Sequence, residues 1–319
     1  MTVNKWQGAV ANLITCEEKK IDSNFFHRPV MVREVIQYLA PKKGIFIDAT
    51  VGGGGHAEAI LAALEAGFLI GIDLDPEAIS YSQRRLNRFN NFHLFNCNFT
   101  EMGEVIQEFR KTSICNNQQV MGILFDLGVS FHQIRSAQRG FSFELNGPLD
   151  MRFNSESPLK AYDIIRRSSL PEIETIIRQF GEEKFAKRIA KAIWQKRKEL
   201  KTTTQLADLI TQQLKRLPDA VKRKAMRRTF QALRMATNNE LENLQKGLLT
   251  VLELLAPGGR IVVLAYHSLE DRIVKNTFRE FARQGKIEIL TKKPLRPTPT
   301  EIQQNPQAHS ARLRAAVKI

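Results

Sequence analysis

Two acidic residues and a run of glycines early in the chain have the spacing of a nucleoside-binding site. Asp48 comes shortly before the glycines Gly52 to Gly55, and Asp73 follows about 20 residues later. Glycines adopt positive φ easily and let the backbone approach a ligand closely. A carboxylate at the position of Asp73 can accept hydrogen bonds from both hydroxyls of a ribose. The alternative is a plain glycine turn followed by an ordinary acidic residue at a strand end.

The glycine turn fits two kinds of cofactor. Gly52, Gly54 and Ala57 match the G-x-G-x-x-A pattern of dinucleotide-binding proteins. Asp48, however, would repel a pyrophosphate and attract the cationic amino-acid end of S-adenosylmethionine. The sequence therefore favours S-adenosylmethionine, with a nicotinamide-dependent oxidoreductase as the alternative. The chain has no G-x-x-x-x-G-K-[ST] motif, which excludes a P-loop NTPase.

A third acidic residue, Asp126, is the candidate for the reaction itself. In methyl transfer to an exocyclic amine, an acceptor that binds the N–H groups can orient the nitrogen lone pair and restore electron density to it. Asp126 or a neighbouring backbone carbonyl could do this, or Asp126 could bind only the cofactor. A C5-pyrimidine methyltransferase would need a cysteine nucleophile, typically after a proline, and no cysteine here follows a proline. Transfer to nitrogen is therefore favoured.

Other polar and aromatic residues are candidates for ligand contacts. His56 could bind the cofactor or cap the turn, and His267 could contact a substrate base or hydrogen-bond Asp271, the latter being favoured. Arg139 and Phe141 lie in a short loop that could pair a phosphate and stack a flipped base, or be anchored to the protein by its aromatic rings. No two histidines have the spacing of metal ligands, so no metal site is predicted.

Alternating strands and helices are predicted to position these residues. The hydrophobic pattern predicts strands at 45–48, 68–73, 92–95, 122–127, 260–266, 287–290 and 311–319. It predicts helices at 29–39, 57–66, 76–88, 102–111, 241–255 and 269–281, with Asp75 as the N-cap of the third and Gly67 ending the second. Residues 292–306, which contain four prolines, are expected to form a loop. This rhythm indicates an α/β fold with a parallel sheet covered on both faces.

The positive charge is concentrated in one part of the chain. The net charge is +15, and residues 135–236 hold 23 Lys and Arg against 11 Asp and Glu, a net of +12. This stretch shows helical patterns and no convincing strand, and a basic excess of this kind predicts a nucleic-acid partner. The alternative is a set of solvated helices that happen to be basic.

The composition excludes several classes of protein. At 43% hydrophobic and 25% charged residues the chain is typical of folded soluble proteins. No apolar run reaches the roughly 20 residues of a membrane-spanning helix, and no signal peptide is visible. Three cysteines without a C-x-x-C pair argue against a disulfide framework and a zinc ribbon. A cytoplasmic protein without a membrane partner is expected.

Seven motifs together resemble one known family. They span residues 48–56, 126–130, 139–143, 147–152, 181–190, 228–232 and 267–274. In this order they are similar to the bacterial small-subunit ribosomal RNA cytosine-N4 methyltransferases, over about residues 27–314. The resemblance implies methyl transfer from S-adenosylmethionine to the exocyclic amine of one cytidine in the decoding centre of 16S rRNA. It also implies a Rossmann-like class I methyltransferase sheet with an inserted all-helical substrate-recognition domain.

The resemblance also implies domain limits and site residues. Residues 1–26 would be an extension, 27–134 with 237–319 the methyltransferase domain, and 135–236 the RNA-recognition insertion. The residues implied to bind the cofactor are Gly54, Gly55, His56, Asp73, Phe99, Asp126 and Gln133, and those expected to meet RNA are Arg139, Phe141, Arg188 and His267. The family usually reads Ser-Ser-Pro-Gln where this chain has Ser130-Phe131-His132-Gln133, which changes the loop before Gln133. The catalytic base stays unassigned, apart from Asp126 as a candidate, and the oligomeric state stays open, with a homodimer as one option.

Overall fold

Seven strands form one mixed sheet in the computed structural model, which describes residues 29–112 and 118–319. The strands are β1 (Lys43–Asp48), β2 (Ala66–Asp73), β3 (Phe92–Asn96), β4 (Val120–Asp126), β5 (Leu255–Ala265), β6 (Ile287–Ile289) and β7 (Arg312–Lys318). Their order is β3-β2-β1-β4-β5-β7-β6; β1 to β5 run parallel, and β7 is antiparallel to both β5 and β6. The predicted α/β class and parallel core are confirmed.

Helices cover both faces of this sheet. They are α1 (Val32–Leu39), α2 (Gly55–Ala63), α3 (Pro76–Arg85), α4 (Met102–Arg110), α11 (Glu240–Leu254), α12 (Ser268–Arg283) and the short α13 (Pro299–Gln304). On one face, Phe109, Leu248 and Phe278 belong to one buried apolar cluster. On the other, Leu39 and Ile60 belong to a second. Each such side chain contributes about 1.5–3 kcal/mol by leaving water, so the sheet is held from both sides.

Six helices lie between β4 and α11. They are α5 (Phe131–Arg135), α6 (Ala161–Arg167), α7 (Leu170–Gly181), α8 (Ala186–Lys196), α9 (Thr203–Gln213) and α10 (Asp219–Asn238). The apolar faces of α6 to α10 meet in a third buried cluster that includes Ile165, Ile177, Ile193, Leu206 and Leu233. The amphipathic spacing in the sequence therefore corresponds to a helical core separate from the sheet clusters. The predicted limits at 134 and 237 stay a prediction, since α10 continues past residue 236.

Two local predictions are wrong. The second helix ends at Ala63, and Gly67 lies inside β2 rather than after a helix. The reason is a close approach between strands, because a Cβ on Gly67 would lie 2.0 Å from the carbonyl oxygen of Gly44. The stretch 292–306 is not all loop, since α13 forms within it, with the Thr298 side chain accepting the Glu301 N–H and Pro299 in the first turn. The predicted Asp75 N-cap of α3 is confirmed, its side chain accepting the Glu77 N–H.

The described parts of the chain, 29–112 and 118–319, contain no helix that is both long and apolar enough to cross a membrane.

Candidate active site

A cleft opens where the chain order of the sheet reverses. β2 and β3 lie on one side of β1, while β4 and β5 lie on the other, so the carboxyl ends of β1 and β4 flank a switch point. Open parallel sheets bind ligands at such points. The cleft has a volume of 680 Å³, within the roughly 300–1,000 Å³ of small-molecule sites. Its walls include Gly55, His56, Asp73, Phe99, Asp126, Gln133, Phe141 and His267, whereas Gly54, Arg139 and Arg188 do not line it.

The glycine turn is shaped by conformations that other residues resist. Gly52 and Gly54 have φ of 49° and 72°, and Gly54 is the N-cap of α2. A Cβ on Gly55 would lie 2.8 Å from the ring of Pro29. Arg85 steadies the turn by donating 3.0 Å to the carbonyl of Gly53. The backbone therefore stays open toward the cleft, as the sequence pattern predicts.

Asp73 is held by backbone donors at the end of β2. Its Oδ2 accepts the N–H of Gly52 at 2.8 Å, and its Oδ1 accepts the N–H of Asp75 at 2.9 Å. Each carboxylate oxygen has a second lone pair, so each can still accept a hydrogen bond from a hydroxyl group. Burial raises the pKa of Asp73 to about 6. The arrangement suits a ribose, and contact with the cofactor stays a prediction.

Phe99 forms part of an apolar wall of the cleft. It begins a short 3-10 turn capped by Asn98, and its ring meets Phe125 edge-on with centroids 5.4 Å apart. On its other side, a Cβ on Gly247 would lie 2.8 Å from the ring. The ring is thus fixed from two sides, which fits the predicted place beside an adenine.

Asp126 lies in a group of polar side chains at the switch point. Its Oδ1 accepts the Tyr266 hydroxyl at 2.7 Å, and its Oδ2 is 3.4 Å from Nε2 of His56. Its backbone N–H donates to the Thr50 hydroxyl at 2.7 Å. Burial and the charge of Asp126 raise the pKa of Tyr266 well above its usual value, so the phenol stays a donor. Behind this group Asp48 is only 1% exposed.

Sequence reasoning missed Tyr266. It follows β5 directly, one residue before His267, so its place at the carboxyl end of a strand was the available signal. Nothing local to residue 266 indicates contact with Asp126, which is 140 residues away in the chain.

Gln133 lines the cleft but already has partners at both ends of its amide. Its Nε2 donates to Asp75 Oδ2 at 2.8 Å, and its Oε1 accepts the N–H of Ser130 at 3.0 Å. In the loop that departs from the family pattern, the Arg135 guanidinium lies 3.9 Å from the ring centre of Phe131. Gln133 therefore holds α5 against α3, and its contact with the cofactor stays a prediction.

Arg139 is occupied by partners within the protein. Its guanidinium pairs with Asp75 at 2.8 Å and Glu77 at 3.1 Å, and donates to the carbonyls of Arg152 and Phe153. It thereby joins the amino end of α3 to the loop that follows α5. Contact of Arg139 with RNA stays a prediction, and a phosphate would compete with these partners.

Replacing Arg139 tests this structural role. Arg139→Ala is expected to lower the free energy of unfolding by about 3 kcal/mol, since it leaves the buried Asp75 carboxylate without its cation. Urea denaturation measures this. Arg167→Ala is the matched control, because Arg167 is exposed and its pair with Asp163 is worth at most about 1 kcal/mol. An equal loss of unfolding free energy in the two variants would contradict the structural role of Arg139.

The other predicted RNA contacts occupy different surroundings. Phe141 is buried against Phe153, with stacked rings 5.8 Å apart, and lines the cleft. Arg188 is exposed on α8. His267 caps α12, and its Nε2 lies 2.9 Å from Glu270. The expected pairing of His267 with Asp271 is wrong, because Asp271 pairs with Arg314 on β7 instead.

One group in the described residues has the composition of a metal site. Ligand atoms of Glu240, His267 and Glu270 lie within 4.8 Å of one another. However, Arg234 donates to both oxygens of Glu240, at 2.7 and 2.8 Å, and would repel a cation. Arg234 also lines the cleft and was missed by sequence reasoning.

Comparison with known proteins identifies the family. The model of the MraW methylase family matches residues 24–319. The chain belongs to the MraW methylase family. Relatives from Halothermothrix orenii and Geobacter sulfurreducens, each named ribosomal RNA small subunit methyltransferase H, are both 43% identical to it. The alignments cover 92% of this chain and 98% and 99% of those relatives. A solved rRNA methylase from Streptococcus thermophilus is 11% identical, with 92% and 98% of the chains covered and a TM-score of 0.44.

As a member of the MraW family, the chain is an S-adenosylmethionine-dependent methyltransferase. S-adenosylmethionine, the cofactor predicted from Asp48, is confirmed. The alternative, a nicotinamide-dependent oxidoreductase, is wrong. The cleft fits a cationic cofactor, since Asp73 and Asp126 line it and Asp48 lies behind them. Among the described residues, Asp48 Oδ2 and His56 Nδ1 are buried without a hydrogen-bond partner, and His56 Nε2 faces Asp126.

Proposed function

We propose that this chain methylates the exocyclic N4 amine of one cytidine in the decoding centre of 16S rRNA, in the small ribosomal subunit. Methyl transfer to small-subunit rRNA is the activity stated in the names of its relatives. The choice of N4 and of the decoding centre comes from the sequence resemblance. The observation that supports transfer to an amine is the carboxylate of Asp126, held at the cleft wall by Tyr266.

Asp126 has the properties that an amine acceptor requires. The lone pair of an exocyclic amine is partly delocalised into the ring, so the amine is a weak nucleophile until a neighbouring oxygen binds its N–H groups. The Tyr266 hydroxyl fixes the orientation of Asp126, which lets the carboxylate meet those N–H groups without rotating. A fixed acceptor of this kind costs no reorganisation during the reaction.

The cofactor, when bound, supplies a methyl group on a sulfonium sulfur. In our proposal Asp73 accepts hydrogen bonds from the two ribose hydroxyls, and Phe99 lies against the adenine. The turn from Gly52 to Gly55 leaves room for the amino-acid end near Asp48. In this proposal these residues bind or orient the cofactor, and Asp126 contacts the acceptor amine.

The basic insertion is proposed to bind the RNA. Lys184, Lys187, Arg188 and Lys191 are all exposed on or beside α8, and Arg227 of α10 lines the cleft. Exposed cationic side chains can neutralise the phosphates of RNA and release the counterions bound to them. We therefore propose residues 135–236 as the RNA-recognition part.

A salt titration tests the RNA role of α8. The double variant Lys187→Ala/Arg188→Ala is expected to weaken RNA binding and lower the slope of log affinity against log salt by about 1 per lost phosphate contact. Cofactor affinity should not change. Arg110→Ala, which removes an exposed cation from α4 on the other part of the chain, is the control. A slope equal to the wild-type slope would contradict the assignment.

Nucleoside mapping tests the function itself. Small ribosomal subunits that lack the modification are incubated with the protein and methyl-labelled S-adenosylmethionine, and the 16S rRNA is digested for mass spectrometry. The expected product is N4-methylcytidine in one fragment of the decoding centre. Label in 5-methylcytidine, in a ribose or in another region would overturn the proposal.

A further inference from the structure

A buried pair of titratable side chains lies at the cleft, with His56 in its wall and Asp48 behind it. Asp48 at the end of β1 is 1% exposed, and His56 in the first turn of α2 is 5% exposed. Among the described residues, Asp48 Oδ2 and His56 Nδ1 have no hydrogen-bond partner, whereas His56 Nε2 faces Asp126 Oδ2 at 3.4 Å. Buried polar atoms without partners are costly, and natural proteins keep few of them. Their presence together at the cofactor cleft points to a role in addition to cofactor binding and the orientation of Asp126.

The surroundings of the pair retain a proton close to neutral pH. Burial, helped by the charges of Asp126 and Asp73 and opposed by His56, raises the pKa of Asp48 to about 7. Burial opposes the charged form of His56, yet the pKa of His56 is raised overall by Asp126 and Asp48, against the charge of Arg85. Two carboxylates, Asp126 and Asp48, therefore act on the imidazole of His56, and the group holds a proton that a change in nearby charge can release.

We propose that Asp48 and His56 act as a proton store, which releases a proton when the cationic cofactor binds and takes up the proton that the acceptor amine loses. His56 is the point of exchange, because its Nε2 lies 3.4 Å from Oδ2 of Asp126. The other oxygen of Asp126 is occupied by the Tyr266 hydroxyl, so the proton path leads to His56. Catalytic contacts are often this long before the substrate is bound.

Charge balance drives both steps. A cation bound beside Asp126 favours the ionised form of the carboxylates and the neutral form of His56, so the store loses a proton to solvent. In the transfer, the amine lone pair forms the N–C bond and the C–S bonding pair passes to sulfur, which becomes neutral. The N–H bonding pair stays on nitrogen, and its proton passes through Asp126 to His56. The store then has its starting charge, and each turnover yields one proton.

The second half of this cycle rests on the proposed function, because it needs an acceptor that loses an N–H proton. The first half needs only the cofactor. It therefore predicts a difference between S-adenosylmethionine and S-adenosylhomocysteine, which differ by the methyl group and the positive charge on sulfur. The adenosine and amino-acid parts of the two ligands are the same.

Calorimetry without RNA tests the store. The full chain is titrated near pH 7 with each ligand, in buffers of different ionisation enthalpy, to count the protons released. S-adenosylmethionine is expected to release about half a proton more than S-adenosylhomocysteine, since a group titrating near 7 is half protonated there. Equal proton release by the two ligands would overturn the proposal, whatever any variant does.

Variants locate the effect. His56→Gln and Asp48→Asn should each remove the difference in proton release, while Asp219→Asn, at a fully exposed acid on α10, should retain it. In the wild type, the affinity for S-adenosylmethionine should rise with pH between about 6 and 8, and that for S-adenosylhomocysteine should stay nearly constant. A difference that persists in both His56→Gln and Asp48→Asn would assign the proton to another group. The calorimetry uses no RNA, so its result does not depend on the result of the nucleoside mapping. Either the proton store or the proposed function can therefore be overturned while the other stands.

Discussion

Asp126→Asn is expected to lower the rate constant of methyl transfer by about 100-fold to 10,000-fold, the range typical of a lost proton acceptor. The amide presents N–H groups where the carboxylate presents only oxygens, so one side of the acceptor amine would meet a donor instead of an acceptor. The amide also cannot take up a proton. Affinity for S-adenosylmethionine should change much less, because Asp73 and the glycine turn are untouched. Single-turnover kinetics at saturating cofactor, with small subunits as substrate, measures the rate constant.

Two companion variants give this result its meaning. Tyr266→Phe removes the hydroxyl that holds Asp126 Oδ1 but leaves both carboxylate oxygens as acceptors, so its loss of rate should be smaller. Asp163→Asn changes an acid of α6 whose pair with Arg167 lies at the surface, and its rate should match the wild type. A folded Asp126→Asn protein with an unchanged rate constant would leave Asp126 with a cofactor-binding role only.

The layout of the cleft could be predicted because it depends on local pattern and topology. Asp48, Asp73 and Asp126 were each assigned to the end of a predicted strand, and the carboxyl ends of parallel strands meet at one edge of a sheet. Once the strand order reverses between β1 and β4, these acids must lie around one opening. No knowledge of side-chain packing was needed for this step.

The pairing of side chains around the cleft could not be predicted. Tyr266 meets Asp126 across 140 residues, and Arg139 meets Glu77 across 62. An arginine followed by Gly140-Phe141 looks the same in the sequence whether it faces a phosphate or a buried acid. Only the fold brings the amino end of α3 to Arg139 and so decides between them. The role of Gly67 could not be predicted for a related reason. Glycine is needed there because the neighbouring strand comes too close for a Cβ, and not because a helix ends.

Asp73→Ala should show the opposite pattern from Asp126→Asn. It removes the two oxygens that we propose as acceptors of the ribose hydroxyls, each worth about 1.5–3 kcal/mol when the acceptor is charged, so the dissociation constant for S-adenosylmethionine should rise about 100-fold or more. It also removes the anchor of the Gly52 N–H, which loosens the glycine turn. Calorimetry measures the affinity, and thermal denaturation shows whether the variant is folded.

Comparing Asp73→Ala with Asp126→Asn separates cofactor binding from methyl transfer. At saturating cofactor, Asp73→Ala should recover most of the wild-type rate constant, because its lost contacts are the same before and during transfer. Asp73→Asn keeps one oxygen acceptor and should fall between Asp73→Ala and the wild type in affinity. A rate constant for Asp73→Ala that stays low at saturation would show that the ribose contact also aligns the methyl group with the amine. In that case Asp73 would share the positioning role that we assign to Asp126, and the two variants would no longer be expected to act independently.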